Sequence, residues 1–157
     1  MAQTLAAAKC GVVLMHMRGR PEEWRTLPPE ADIVARVAND LRNWSEAAMA
    51  AGVARERIVL DPGFGFGKNF EENYPLLADF RTLHELGYPL VAGTSRKSFV
   101  GRALAGDGKL APAEARLFGS LAAMMITIIE GAHIVRVHDV KESREAALVA
   151  DAVFHAR

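Results

Sequence analysis

The chain has one cysteine, no excess of either charge, no basic block and no long apolar run, and each absence removes a class of protein. Cys10 has no partner cysteine in its own chain. Beside an apolar run it reads as a small buried hydrophobe in a reducing compartment. Lys+Arg and Asp+Glu both number 19, so the formal net charge is zero and nucleic acid is not an expected partner. The longest apolar run, Leu121 to Ile129, falls far short of the roughly 20 residues that cross a bilayer, so no membrane association is expected. The amino-terminal run from Gly11 to Met17 is broken by His16 and stops at Arg18, which is not the pattern of a signal peptide. The expectation is a cytoplasmic protein.

Several catalytic signatures are missing as well. There is no Cys–His pair, no metalloprotease motif and no Ser–His–acid order, and Ser95 has no evident base. None of His16, His84, His133 and His155 has metal-ligand spacing, and none is assigned a role. The glycine-rich stretch Asp61-Pro-Gly-Phe-Gly-Phe-Gly-Lys68 fails both nucleotide patterns. With Gly67-Lys68 as the Gly-Lys of a P-loop, the leading glycine would be Pro62, and Lys68 is followed by Asn69. Gly-x-Gly-x-x-Gly fails because Lys68 and Phe70 occupy the third glycine's place.

What is there is an alternation. At 157 residues, half of them hydrophobic, the chain is the size of one domain with its own core. Four strand-like segments, Gly11–Met17, Arg57–Asp61, Pro89–Gly93 and His133–His138, are each followed by a helical pattern. Ile33, Val34, Val37, Leu41, Trp44 and Ala48 recur at helical spacing, and Gly52 closes that helix. Asn69 with Glu72 has the capping-box spacing, and Gly87 ends the segment it opens. Further helices are expected from about Pro112 to Glu130 and from Lys141 to Phe154.

Such alternation predicts an α/β fold with a parallel sheet and right-handed crossovers. Two architectures fit four βα units: a small open sheet, the commoner of the two, or half of an eight-stranded barrel, which needs roughly 250 residues. Residues 1–9 resemble the last turns of a helix entering the first strand, which favours the barrel half.

Asp61 stands at a strand's carboxyl end, where open sheets and barrels hold ligands. An equivalent loop, Gly93-Thr-Ser-Arg-Lys-Ser98, follows the third strand. Asp61-Pro-Gly on its own is an ordinary turn. Phe64 and Phe66 are odd in a plain turn, and their place predicts a pocket for a flat ring. On the fourth strand, alternation puts Arg136 and His138 on one face. Arg136 there needs an anion or a carboxylate: either a salt bridge to Asp139 or Glu130, or, with Arg96, Lys97 and Arg102 nearby, a phosphate or diphosphate. Met15 and Met17 share a face of the first strand as core filler, with Met15 near enough to the strand end to touch a ring. The segment Leu117–Ile129 is apolar nearly all round, which predicts a cover, most simply a homodimer partner.

Asp61-Pro-Gly-Phe-Gly-Phe-Gly-Lys68, Ser95-Arg-Lys-Ser98 and Arg136-Val-His-Asp-Val140, in this order, together with Met15-His-Met-Arg-Gly19, resemble the dihydropteroate synthase family over essentially the whole chain. The resemblance implies units five to eight of a TIM (β/α)8 barrel: residues 1–157 as the carboxyl-terminal half of a pterin-binding barrel domain. It also implies condensation of 6-hydroxymethyl-7,8-dihydropterin diphosphate with 4-aminobenzoate. In that resemblance Asp61 takes the pterin's amino-pyrimidine edge and Lys97 contacts the pterin. Ser95 lies near the aminobenzoate carboxylate, Phe66 lines that pocket beside Gly65, and Met15 completes the substrate set. Arg136 and His138 hold the diphosphate, so Lys97, Arg136 and His138 are the expected catalytic groups. Mg²⁺ is implied, with its ligand expected from the family's first half and no metal ligand in this chain. Two other outcomes stay open: a non-catalytic pterin-binding fragment, or a protein like the methyltetrahydrofolate methyltransferases.

Overall fold

The computed structural model describes residues 2–156. Four short strands, β1 (Val12–Met15), β2 (Ile58–Asp61), β3 (Val91–Ala92) and β4 (Ile134–Val135), alternate with helices. The helices are α1 (Ala2–Ala8), α2 (Ile33–Ala50), α3 (Asn73–Ala78), α4 (Ser98–Ala105), α5 (Leu117–Ile129) and α6 (Val140–His155). Every pairing is parallel. β1 runs beside β2 with Met15 opposite Asp61, and β3 runs beside β4 with Val91 opposite Ile134. A single bridge, Leu60 to Leu90, joins the two pairs, so the spatial order follows the chain order. The fold is therefore α/β with parallel strands, as the alternation predicts.

The two faces of this sheet differ. Ile58, Leu60 and Leu90 point into the helical layer and are fully buried with Val37 and Leu41 of α2, Leu76 of α3, and Phe80 and Leu83. Val13 and Ile134 point the other way and are 54% and 48% exposed. Parallel strands normally read as apolar runs because helices cover both faces. Here the helical layer covers one face and leaves Val13 and Ile134 open on the other.

Local signals explain most element ends. Asp32 Oδ1 accepts the Ala35 N–H at 3.0 Å, capping α2. That helix buries Ile33, Val37, Leu41, Ser45 and Ala48, one stripe at helical period. At its far end Gly52 takes φ +95°, with Val53 N–H bonding Ala48 O at 3.1 Å, a Schellman-type stop. Asn69 and Glu72 form the reciprocal box: Glu72 N–H to Asn69 Oδ1 at 2.9 Å and Asn69 N–H to Glu72 Oε2 at 2.6 Å. The helix they introduce begins only at Asn73 and passes into a 3-10 segment, Phe80–Leu86. β1, β3 and β4 are shorter than expected at both ends, whereas β2 lacks only Arg57 and ends at Asp61 as expected. The segment from Pro112 starts as a 3-10 turn, Ala113–Arg116, before α5. α4 has no counterpart in the sequence reading. Cys10 is exposed rather than buried. Among the described residues no helix is long and apolar enough to cross a membrane.

Candidate functional site

The carboxyl ends of the strands carry the expected groups, and the segment from Asp61 to Lys68 organises them. It crosses the end of β1 so closely that side chains are excluded. Gly63 and Gly67 both have φ +65°; a Cβ would lie 1.9 Å from the His16 carbonyl oxygen at the first and 2.0 Å from that of Arg18 at the second. Only glycine satisfies both demands. The tight path returns the Gly63 N–H onto Asp61 Oδ1 at 2.7 Å.

Asp61 is 4% exposed. Burial pushes its carboxyl above the ordinary range, while the Gly63 hydrogen bond and the charges of Arg136, Lys97 and Lys68 oppose the shift. Lys97 belongs to the loop after β3. Its Nζ sits 3.8 Å from the centre of the Phe66 ring, and its stem lies along Gly65, where a Cβ would be 3.6 Å from Lys97 Cδ. Burial lowers the Lys97 pKa, Arg136 lowers it further, and Asp61 raises it. Arg136 follows β4 and packs flat on Gly93, where a Cβ would come within 2.5 Å of its guanidinium. Met15 is the strand neighbour of Asp61. The structure thus brings Met15, Asp61, Gly65, Phe66, Lys97 and Arg136 to one rim.

Ser95 and His138 meet across the β3–β4 pair: the His138 N–H donates to Ser95 Oγ at 3.2 Å, and the ring Nδ1 lies 3.0 Å from the same oxygen. Ser95 therefore has a basic neighbour, contrary to the sequence reading. The two carboxylates suggested for Arg136 are engaged elsewhere. Asp139 accepts from Arg96 Nε and one terminal guanidinium nitrogen, and Glu130 pairs with Arg81 at 3.1 Å. Among the described residues Arg136 makes no salt bridge. Arg96 is thereby occupied, and Arg102 turns over the Phe70 ring at 5.8 Å, so neither belongs to a free cationic cluster.

Phe64 is a further correction. It is buried between Phe80 and Phe99, at 6.3 and 6.1 Å between ring centres, and is part of the core rather than of a pocket. The partner of Phe66 is instead Trp24, edge-on at 5.7 Å, from the turn after β1. Its signal was an aromatic in an otherwise polar turn, the same cue that marks Phe66. Two buried groups were also missed. Lys68 Nζ donates to the carbonyls of Gly63 at 2.9 Å and Phe66 at 3.3 Å, and lies 2.8 Å from His16 Nδ1. Burial brings the Lys68 pKa down to about 7, and burial with the Lys68 charge brings that of His16 to about 4.

This rim can bind a planar heterocycle through one carboxylate and an anion through Arg136. It is poorly suited to Mg²⁺. The one carboxylate facing it, Asp61, is already bonded to Gly63 and neighboured by the cations Lys97, Arg136 and Lys68, whereas Mg²⁺ needs one or two carboxylates free to bind it beside substrate phosphates and water.

Known proteins resemble this chain in sequence and fold. The chain is 45% identical over 154 residues to the dihydropteroate synthase of Escherichia coli (strain K12), covering 97% of this chain and 53% of that protein. It is 44% identical over 149 residues to that of Neisseria meningitidis serogroup B, covering 93% and 51%. A solved Yersinia pestis dihydropteroate synthase with a sulfonamide drug superposes with a TM-score of 0.92 at 40% identity, over 99% of this chain and 55% of that one. A Xanthomonas albilineans dihydropteroate synthase with 4-aminobenzoic acid gives 0.86 at 39%, over 97% and 52%. The chain spans about half the length of the curated relatives it matches. Residues 1–138 match the family described as pterin binding enzyme, and the chain belongs to that family.

Proposed function

We propose that these residues are the carboxyl-terminal half, units five to eight, of a dihydropteroate synthase barrel domain. The reaction proposed is displacement of diphosphate from 6-hydroxymethyl-7,8-dihydropterin diphosphate by the amine of 4-aminobenzoate. The observation that carries the reading is a buried carboxylate, Asp61, sharing one strand-end rim with Lys97 and with Arg136, which makes no salt bridge among the described residues. A carboxylate accepts two parallel N–H donors from an amino-pyrimidine edge, and Arg136 offers a fork to a diphosphate. The edge-on pair of Trp24 and Phe66 supports an aminobenzoate pocket on the Gly65 side. An assignment of Ser95 to the aminobenzoate carboxylate rests on the family resemblance.

Chemistry at this rim is anion release. As the C–O bond to diphosphate breaks, positive charge grows on the pterin methylene and negative charge on the leaving oxygens, and the amine nitrogen forms the new C–N bond. Arg136 and His138 meet the leaving group, and Lys97 steadies the pterin. Since Ser95 Oγ already accepts the His138 N–H, its own proton is free for Nδ1, which leaves a hydrogen on Nε2 to donate. Mg²⁺ bound with the diphosphate would neutralise its charge, and none of the described residues forms a group that could hold it.

Calorimetry with the pterin diphosphate, with and without Mg²⁺, tests the reading. Heat with the pterin and tighter binding with its diphosphate are expected, with turnover only when the other half of the barrel is supplied. No heat at millimolar pterin would refute it. Affinity without turnover in a complete barrel would favour the binding fragment. A site for a methyl donor is disfavoured, because such a ligand gives Arg136 no anion.

We further propose a homodimer through α5. Phe118 (80% exposed), Ile126 and Ile129 form an open apolar stripe on the face away from buried Ser120, Met124 and Thr127. Phe118→Glu is expected to yield monomers in sedimentation; an unchanged dimer would exclude this face. The reducing, cytoplasmic location proposed for the protein is supported by its exposed free thiol at Cys10.

A further inference from the structure

Lys68 is a buried ammonium whose hydrogen-bond partners are all neutral: the Gly63 carbonyl, the Phe66 carbonyl and His16 Nδ1. The nearest carboxylates are committed to others. Asp61 Oδ1 holds the Gly63 N–H, and Glu72 is held by Arg18, by Glu30 N–H and by Asn69 N–H. A lysine in this position is costly to bury, and an apolar side chain would fill the volume without that cost. What the ammonium does that an apolar group cannot is tie two carbonyls of one loop to a fixed point just past the end of β1. Resting on the pterin-site reading above, we propose that Lys68 is a positioning residue for that site. Its ammonium clamps residues 61–67 in the shape that presents Asp61 and Phe66 to the bound ring.

The fixed point is itself braced. His16 is fully buried, stacked on Trp44 at 5.5 Å, and its Nε2 lies 3.2 Å from Asp40 Oδ2. Asp40 is held in turn by Arg36 Nε at 2.7 Å. With Nε2–H donating to Asp40, Nδ1 carries the lone pair that receives Lys68. The brace runs from the exposed face of α2 through His16, just past β1, into the site loop, where it reaches the carbonyls of Gly63 and Phe66. Gly63 also donates to Asp61, and Phe66 lies beneath Lys97.

The clamp is sensitive to pH. The charged groups facing Lys68 are Asp61 from β2, Glu72 from the turn before α3, Arg18 after β1 and Lys97 after β3, with His16 as the neutral neighbour. Burial, the largest influence, makes the ammonium surrender its proton at about 7. Raising the pH through that value removes one donor and the positive charge beside Asp61. The contact to Phe66, the longest of the three, is the first to loosen. Binding of a pterin therefore weakens on the alkaline side, while protonation of Asp61 weakens it on the acid side.

The probe is 6-hydroxymethyl-7,8-dihydropterin, which lacks the diphosphate and so leaves Arg136 and His138 without an anion to hold. Wild-type affinity is expected to fall about tenfold as the pH rises from roughly 6.5 to roughly 8.5. Lys68→Met is expected to bind about tenfold or more weakly at the lower pH and to lose the alkaline decline. Without ligand, the amide resonances of Gly63 and Gly65 should titrate with a midpoint near 7 in the wild type and not in Lys68→Met. Lys68→Met binding like the wild type, or amides silent across this range, would overturn the proposal. Should the variant not fold, the wild-type amide titration decides alone. Should the wild type not bind the pterin, the functional reading fails, and the ligand-free titration still tests the clamp.

Discussion

Gly63→Ala is expected to lose roughly 2–5 kcal/mol of stability, from about 1–2 kcal/mol for a left-handed alanine and about 1–3 kcal/mol for the overlap. The overlap is severe because the obstacle is backbone: the added carbon would lie 1.9 Å from the His16 carbonyl oxygen, and that carbonyl cannot rotate away. His16 N–H is bonded to Asp61 O at 2.8 Å, so moving the one strand end disturbs the other. Gly108→Ala is the control. It has φ +72°, but its nearest neighbour is the end of Arg102 at 3.4 Å, so only the conformational part applies. Urea midpoints of the two variants at a common slope separate the contributions. Equal losses would mean that the loop does not lie on β1 as described.

Asp61→Asn is expected to weaken pterin binding by roughly 1.5–3 kcal/mol, the range for a hydrogen bond to a charged group. The amide keeps an oxygen for the Gly63 N–H, yet it presents an NH₂ where the ligand also presents donors. Stability should move the other way or not at all. Burial already disfavours the ionised carboxyl, and a neutral isostere removes that cost. The expected result is therefore a split: lower affinity by calorimetry with an unchanged or raised melting temperature. Unchanged affinity would remove Asp61 from the site, and a parallel loss of both would make its role structural.

The features legible from the chain alone were those written in neighbouring residues. The stop at Gly52, the Asn69–Glu72 box and the strand ends bearing Asp61, Lys97 and Arg136 each depend on a few consecutive side chains. Phe64 and Phe66 show where this fails. Both are flanked by glycine, but three left-handed glycines abolish any simple alternation, so spacing does not say which ring enters the core. Ser95 and His138 are 43 positions apart, and their contact exists only because β3 and β4 are neighbours. Lys68 ends a glycine-rich stretch that matches no nucleotide pattern, and two of its acceptors are main-chain oxygens, which leave no mark in a sequence. α4 begins in the same polar loop that holds Lys97 and runs only from Ser98 to Ala105, too short to build a clear apolar period. The uncovered face of the sheet was hidden for a simpler reason: an apolar strand looks the same whether or not anything lies over it.

That face has a practical side. β1 and β4 each bond a single neighbouring strand within the described chain, and each carries an exposed apolar side chain, Val13 and Ile134. Amides pointing away from the paired neighbour on these flanks have no strand acceptor among the described residues and should trade their hydrogens with solvent fastest of all the strand positions. The same flanks are sticky, so a solution of these residues by themselves is one to keep dilute.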